Sequence, residues 1–162
     1  MVEKGEPLAR ARSRSTDNAE RIEPHLLRAA ENDDEAKLKA LVEGARAKGQ
    51  LRDHHLRIAL MRSSEKGKIN ATTYLLSEGA PPDGVVGNRL GPLLRAVERN
   101  HIKIVRALLQ HGADPETRDK KGRTALMTAA WKNHFHILEM LATRANINAK
   151  VGFPALVIKH SL

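Results

Sequence analysis

Cysteine is absent from the 162 residues. That excludes disulfides, cysteine-based zinc sites and a thiol nucleophile, and it fits a reducing compartment, the cytoplasm or nucleus. Aromatic side chains are scarce too: one Trp, one Tyr and two Phe. Four rings are too few to line a surface that stacks single-stranded bases. No apolar run approaches the roughly 18–20 residues that cross a bilayer, so no membrane span is expected. The segment Met1–Glu6 has no apolar stretch of the kind that directs Sec export. Gly-x-Ser-x-Gly, phosphate-loop and Gly-x-Gly-x-x-Gly motifs are missing as well. Beyond residue 120 the one acidic side chain is Glu139, so a catalytic carboxylate pair cannot form there. Neither catalysis nor a cofactor is expected.

What is present is positive charge, unevenly placed. The net charge is +9. Residues 88–121 hold eight basic and four acidic side chains, and residues 122–162 hold five and one. Such a field draws in acidic partners and speeds their encounter without identifying them. Eight histidines invite a metal hypothesis. His134 and His136 are two residues apart, about 200° around a helix, so their rings cannot face one ion. His54 and His55 are expected in a turn, where adjacent side chains diverge. No metal site is expected.

The chain repeats itself. Residues 91–109 overlay residues 124–142 at a shift of 33. Leu93 falls on Leu126, Ala96 on Ala129, Asn100-His101 on Asn133-His134, Ile104 on Ile137 and Leu108 on Leu141. Extending the register backwards reaches Leu60 and Leu26, and forwards Leu156. A period near 33 means stacked supersecondary units, none able to bury its apolar stripe alone. Each unit reads alike. A short apolar helix shows a small face at its alanines, Asn-His breaks it, and a second helix places apolar residues at i, i+1 and i+4, as in Ile104, Val105 and Leu108. Gly112 is placed to end that second helix in the left-handed conformation. Asp119-Lys120-Lys121-Gly122 makes a further turn.

Residues Asp119 through Ala130 and His101 through Asp114 resemble the ankyrin repeat family. The family's unit opens Asp-x-x-Gly-x-Thr-Pro-Leu-His-x-Ala-Ala and later reads Gly-His, an Ile-Val pair and Leu-Leu-x-x-Gly-Ala-Asp. Tetratricopeptide and HEAT repeats explain neither the opening turn nor the Gly-Ala-Asp stop. The resemblance implies an all-α solenoid of about four stacked helix-turn-helix units plus a partial fifth, with short β-turn fingers. Its units are expected over about 22–52, 53–87, 88–121, 122–150 and 151–162. Residues 1–21, polar and without an apolar period, are expected to form a disordered arm, in which Arg10, Arg12 and Arg14 are a weaker candidate for a nuclear-import or phosphorylation-tuned element. Where the family has Pro-Leu-His, Ala125-Leu126-Met127 weakens the hydrogen bonds of its turn. The fourth unit also lacks the glycine after its second helix, and a helix over 155–162 is expected to dock through Leu141 and Ile147 or to mediate weak self-association.

In this family the contact face comprises the turn tips and the exposed side of the first helix. Carried over, it falls on Arg118, Lys120, Lys121, Arg123, Trp131 and Lys132, and one unit earlier on Asn88, Glu98 and Arg99. His101 and His134 fall at the family's structural position between helices. The resemblance implies a non-enzymatic protein-interaction module, an adaptor, scaffold or inhibitor. The expected partner is an acidic protein segment on a basic concave face, with Trp131 as its apolar anchor, because Trp and Arg are enriched at hot spots. The alternative is a nucleic-acid or anionic-surface binder driven by the basic half.

Overall fold

The computed structural model describes residues 22–83 and 90–148, and the side chains as far as Thr143. Helix α1 spans 22–31. It is followed by α2 (Glu35–Ala47), α3 (Asp53–Lys66), α4 (Ile69–Ser77), α5 (Pro92–Glu98), α6 (Ile102–Gln110), α7 (Ala125–Trp131) and α8 (Phe135–Asn148). No strand occurs among the described residues. The helices alternate between two layers. α3 packs on α5 and α5 on α7, while α2, α4, α6 and α8 stack in turn. The first helix of each unit therefore lies in one layer and the second in the other, as the period requires.

Equivalent residues form columns through the stack. Ala29, Ser63, Ala96 and Ala129 are all buried and all small, which lets the first helices approach closely. Leu75, Leu108 and Leu141 make the matching column between second helices. Of the anchor leucines, Leu26, Leu60 and Leu93 are buried, whereas Leu126 is half-buried on the fourth unit. Met127 and Phe135 are exposed there, although their counterparts in the third unit, Leu94 and Ile102, are buried and half-buried.

The turns explain why the helices stop. Asp33, Gly67, Asn100 and Asn133 occupy the same place in their units, and all four have positive φ. These residue types tolerate the left-handed region best. The turn returns backbone donors to the helix just ended: His101 N–H reaches Ala96 O at 2.9 Å, and His134 N–H reaches Ala129 O at 2.9 Å. The imidazoles then tie one unit to the one before. His101 donates from Nε2 to Glu65 O at 3.0 Å, and His134 from Nδ1 to Val97 O at 2.8 Å. In the first unit Asp33 does the same work in the opposite direction, accepting from Ala71 N–H at 2.8 Å. Gly112, with φ +88°, closes α6 as the spacing indicates. Without such a glycine after Leu141, α8 runs on for 14 residues against nine in α6.

His54 and His55 are not in a turn. They lie in the first turn of α3, with ring centroids 4.0 Å apart. The N-cap position is Arg52 rather than Ser, Thr, Asp or Asn, and Asp53 stands one residue later, at the first helical position, so the usual signal of a helix start is missing. His55 itself supplies the cap, its Nδ1 accepting the Arg52 N–H at 3.1 Å. That bond requires a neutral ring. Burial pushes the His55 pKa below its usual value, as do the neighbouring His54 and Arg52 charges, against an opposing pull from Glu23. The unfolded chain therefore binds the proton more readily than the folded one. Stability from this group is complete above the unfolded pKa, about 6.5, and is lost as pH falls through that value toward the folded one. The melting temperature should drop between pH 7.5 and 5.5. His55→Gln, which keeps an acceptor but cannot titrate, should make that drop shallower. An unchanged pH slope in the variant would show that the cap does not depend on a neutral imidazole.

The expected arm over 1–21, Asn88 and the expected fifth unit with its helix over 155–162 lie outside the described residues, and the side chain of Ile147 lies outside the described side chains.

Candidate functional site

The finger before α7 is built around one carboxylate. Asp119 Oδ1 accepts the backbone N–H of Lys121 and of Arg123, each at 2.8 Å, and Oδ2 accepts from Arg123 Nε at 2.7 Å. Asp119 N–H in turn reaches Arg123 O at 2.9 Å. Its side chain is only 5% exposed. Desolvation pushes the Asp119 pKa up, but the hydrogen bonds from Arg123 and Lys121, with the Arg123 charge, outweigh it and hold the carboxyl below its ordinary value. Asp-x-x-Gly is thus a closed loop held by an anion. Arg118 closes the other side, donating to Gly122 O at 2.9 Å. Lys120 and Lys121 stay exposed at the tip, and neither forms an ion pair among the described residues.

Thr124 begins α7 by accepting Met127 N–H at 3.3 Å, and that short helix delivers Trp131 to its last turn. Trp131 is 67% exposed. It does not pack into a neighbouring unit. Two cations flank it: the Arg123 guanidinium lies 5.4 Å from the ring centroid and the Lys132 ammonium 5.1 Å. Each is within the range where a ring face attracts a cation. The structure therefore brings Arg123, Trp131 and Lys132 together. It places Arg118, Lys120 and Lys121 on the finger that leads to them. Arg123 also has a structural task, because the same guanidinium holds Asp119.

Arg99 sits one unit away in a different setting. Across the first helices run two columns that sequence reasoning did not connect. Arg28, Arg62 and Arg95 form one and Glu31, Glu65 and Glu98 the other, each at the 33–34-residue period. Arg62 pairs with Glu31 of the preceding unit at 2.9 Å and with Glu65 at 3.4 Å, and Arg95 reaches back to Glu65 at 3.4 Å. Arg99 reaches Glu65 at 3.7 Å, yet 60% of its side chain stays exposed. Pairs this open contribute about 0–1 kcal/mol each, so the ladder sets the character of the face more than its stability. It ends at the fourth unit. There Thr128 stands where arginine would be and Trp131 where glutamate would be, leaving Glu98 without an ion pair among the described residues. The face is mixed over the first three units and turns cationic and aromatic at the fourth. The repeat register alone would have revealed these columns had it been read across units.

Among the described residues no group of three or more His, Asp or Glu is placed to hold a metal ion. No described helix is long and apolar enough to cross a membrane.

A two-layer stack of helix pairs, closed by left-handed turns and fronted by Asp-anchored fingers, is the architecture of a repeat protein that presents a surface. The family model described as "Ankyrin repeats (3 copies)" matches residues 60–151, more than half of the chain. The chain belongs to the ankyrin repeat family, whose repeats are protein-interaction modules. Among solved structures it is similar to the ankyrin repeat domain of Bcl-3, described as a unique member of the IkappaB protein family. Sequence identity is 30% and the TM-score 0.64, and the match covers 71% of this chain and 52% of that one. The chain thus spans about half the length of that domain. No curated protein sequence matches it.

Proposed function

We propose that this chain is a non-enzymatic interaction module that binds an acidic protein segment on its first-helix face, with Trp131 as the apolar anchor. One observation carries the reading: a tryptophan two-thirds exposed, at the end of a short helix, between two cations and beside a finger of further basic residues. A large exposed aromatic offers much apolar area for little loss of rotamer freedom, and neighbouring cations favour carboxylates over other polar groups. The membership of an interaction-module family and the likeness to an IkappaB-family domain support a protein partner.

Selection of a random peptide library on the immobilised full chain tests this. Acidic sequences carrying a bulky apolar residue should be enriched, and Trp131→Ala should lose that enrichment while melting like the parent. Enrichment that survives Trp131→Ala would remove the anchor from the reading. A chain that selects no peptide but binds duplex DNA, with affinity falling steeply as salt rises, would replace it with nucleic-acid binding.

A further inference from the structure

We propose that Lys66, Arg99 and Lys132 form a ruler for a polyproline-II segment with a carboxylate at every third residue. The proposal rests on the acidic-partner reading and specifies the partner's conformation and spacing. The three residues occupy one position in successive units, separated by 33 residues each time, at the C-terminal ends of α3, α5 and α7. All three are exposed. Lys66 and Lys132 have no ion-pair partner among the described residues, and Arg99 only grazes Glu65 at 3.7 Å. Of the protein's own carboxylates on this face, Glu31 and Glu65 are taken up by Arg62 and Arg95, while Glu98 has no ion pair among the described residues. Lys132 lies over Trp131, which leaves its charge unneutralised beside the proposed anchor.

Helix C-termini favour cations in general, so the row needs a reason beyond the macrodipole. The second helices supply the comparison. Their caps are Lys48, Glu78 and His111, one cation, one anion and one imidazole. The dipole alone does not select a cation in each unit, whereas the first helices of the last three units all carry one.

Spacing selects the ligand. Packed helices lie about 8–10 Å apart, so the row repeats at about that distance. A polyproline-II chain rises about 3.1 Å per residue with three residues per turn. Residues i, i+3 and i+6 therefore lie on one side, about 9.3 Å apart. In a β-strand, side chains on one side recur every two residues, about 6.7 Å, and i+3 points to the opposite side. A nucleic-acid strand in a duplex advances only about 3.4 Å along the axis per phosphate and winds around that axis, so its phosphates do not hold one straight row at the spacing of the cations. A segment of the form Glu-Pro-x-Glu-Pro-x-Glu meets each cation with a carboxylate and spans the intervals with neutral residues.

Fluorescence anisotropy with the full chain at low salt tests this with three labelled probes. One peptide carries glutamates at every third position with Pro and Ser between, a second has the same composition with glutamates at every second position, and the third probe is a DNA duplex. The first should bind about tenfold more tightly than the second. Lys66→Glu, Arg99→Glu and Lys132→Glu should each weaken it by about tenfold, the effect of losing one close charge pair. Lys48→Glu, outside the row, should change it less than about twofold, since distant surface charges are screened. Changing the peptide's central glutamate to lysine should restore binding to Arg99→Glu. Melting curves of the variants confirm that each is folded. Equal affinity for the two peptides, or an equal loss in Lys48→Glu, overturns the ruler. If both peptides also lose affinity with Trp131→Ala, the acidic-partner reading survives it. Failure of both peptides to bind overturns the ruler, and the library selection then decides the partner reading separately. Tighter binding of the duplex than of the first peptide overturns both in favour of nucleic acid.

Discussion

Leu108→Asp should abolish the cooperative thermal transition and leave much of the helical circular-dichroism signal lost at 25 °C. Leu108 is fully buried on α6, in the leucine column between Leu75 of the preceding unit and Leu141 of the following one. A carboxylate there has no cation to meet and no water to replace it. An unpaired buried charge costs several kcal/mol, a large share of the roughly 5–15 kcal/mol that holds a domain together. The position matters as much as the charge. In a stack whose units are stabilised by their neighbours, damage to the third unit removes support on both sides. Ala129→Glu should act in the same way from the first-helix layer, because Ala129 is equally buried and belongs to the small-residue column. Leu108→Ala separates charge from cavity: it should cost about 2–5 kcal/mol and keep a recognisable transition. Melting of either charged variant like the parent would mean that these residues do not face the packed interior.

Gly67→Ala should lower stability by about 2–3 kcal/mol. Part is backbone: Gly67 has φ +72°, and the left-handed region costs an L-residue about 1–2 kcal/mol. The rest is steric. A Cβ on Gly67 would lie 2.7 Å from His101 Cε1 and 2.8 Å from Nδ1. The ring is not free to yield, because its Nε2–H is bound to Glu65 O. Moving it gives up a hydrogen bond worth about 1 kcal/mol. At the equivalent position Asn133 already carries a Cβ in the left-handed region, so Asn133→Ala gives up only asparagine's advantage over alanine there and should cost less than half as much. The double variant Gly67→Ala with His101→Ala checks the cause by thermal or urea denaturation. If the clash is real, Gly67→Ala costs distinctly less once the ring is gone. Equal cost in both backgrounds would leave conformational strain as the whole effect.

These two positions show how unevenly the sequence discloses the molecule. Leu108 was legible, because a 33-residue register of apolar residues marks the side of a helix that neighbours cover. The stop at Gly112 and the finger at Asp119 were legible for the same local reason: glycine and aspartate have few alternatives in such turns. The contact between Gly67 and His101 was not. It joins residues of two different units, and nothing near either residue announces the other. The start of α3 is hidden because His55 caps it from inside the first turn, while the N-cap position itself holds Arg52 in place of a hydroxyl or carboxylate.

The candidate site divides in the same way. The sequence by itself determined the family, the two-helix unit, the apolar columns and the concentration of basic residues in the last two units, because each is a property of periodicity or composition. It named Trp131 with Arg123 and Lys132 but left open whether the ring was buried or offered to a partner. Only the tertiary structure decided that, since exposure depends on what the neighbouring unit covers. Only the structure separated the cations as well. Arg62 and Arg95 are occupied by Glu31 and Glu65, Arg123 is shared between Asp119 and Trp131, and Lys66 and Lys132 stand without an anionic partner among the described residues. Charge is additive along a chain, but whether a charge is neutralised depends on distances of a few ångströms between residues some 30 positions apart, and stacking is what sets them.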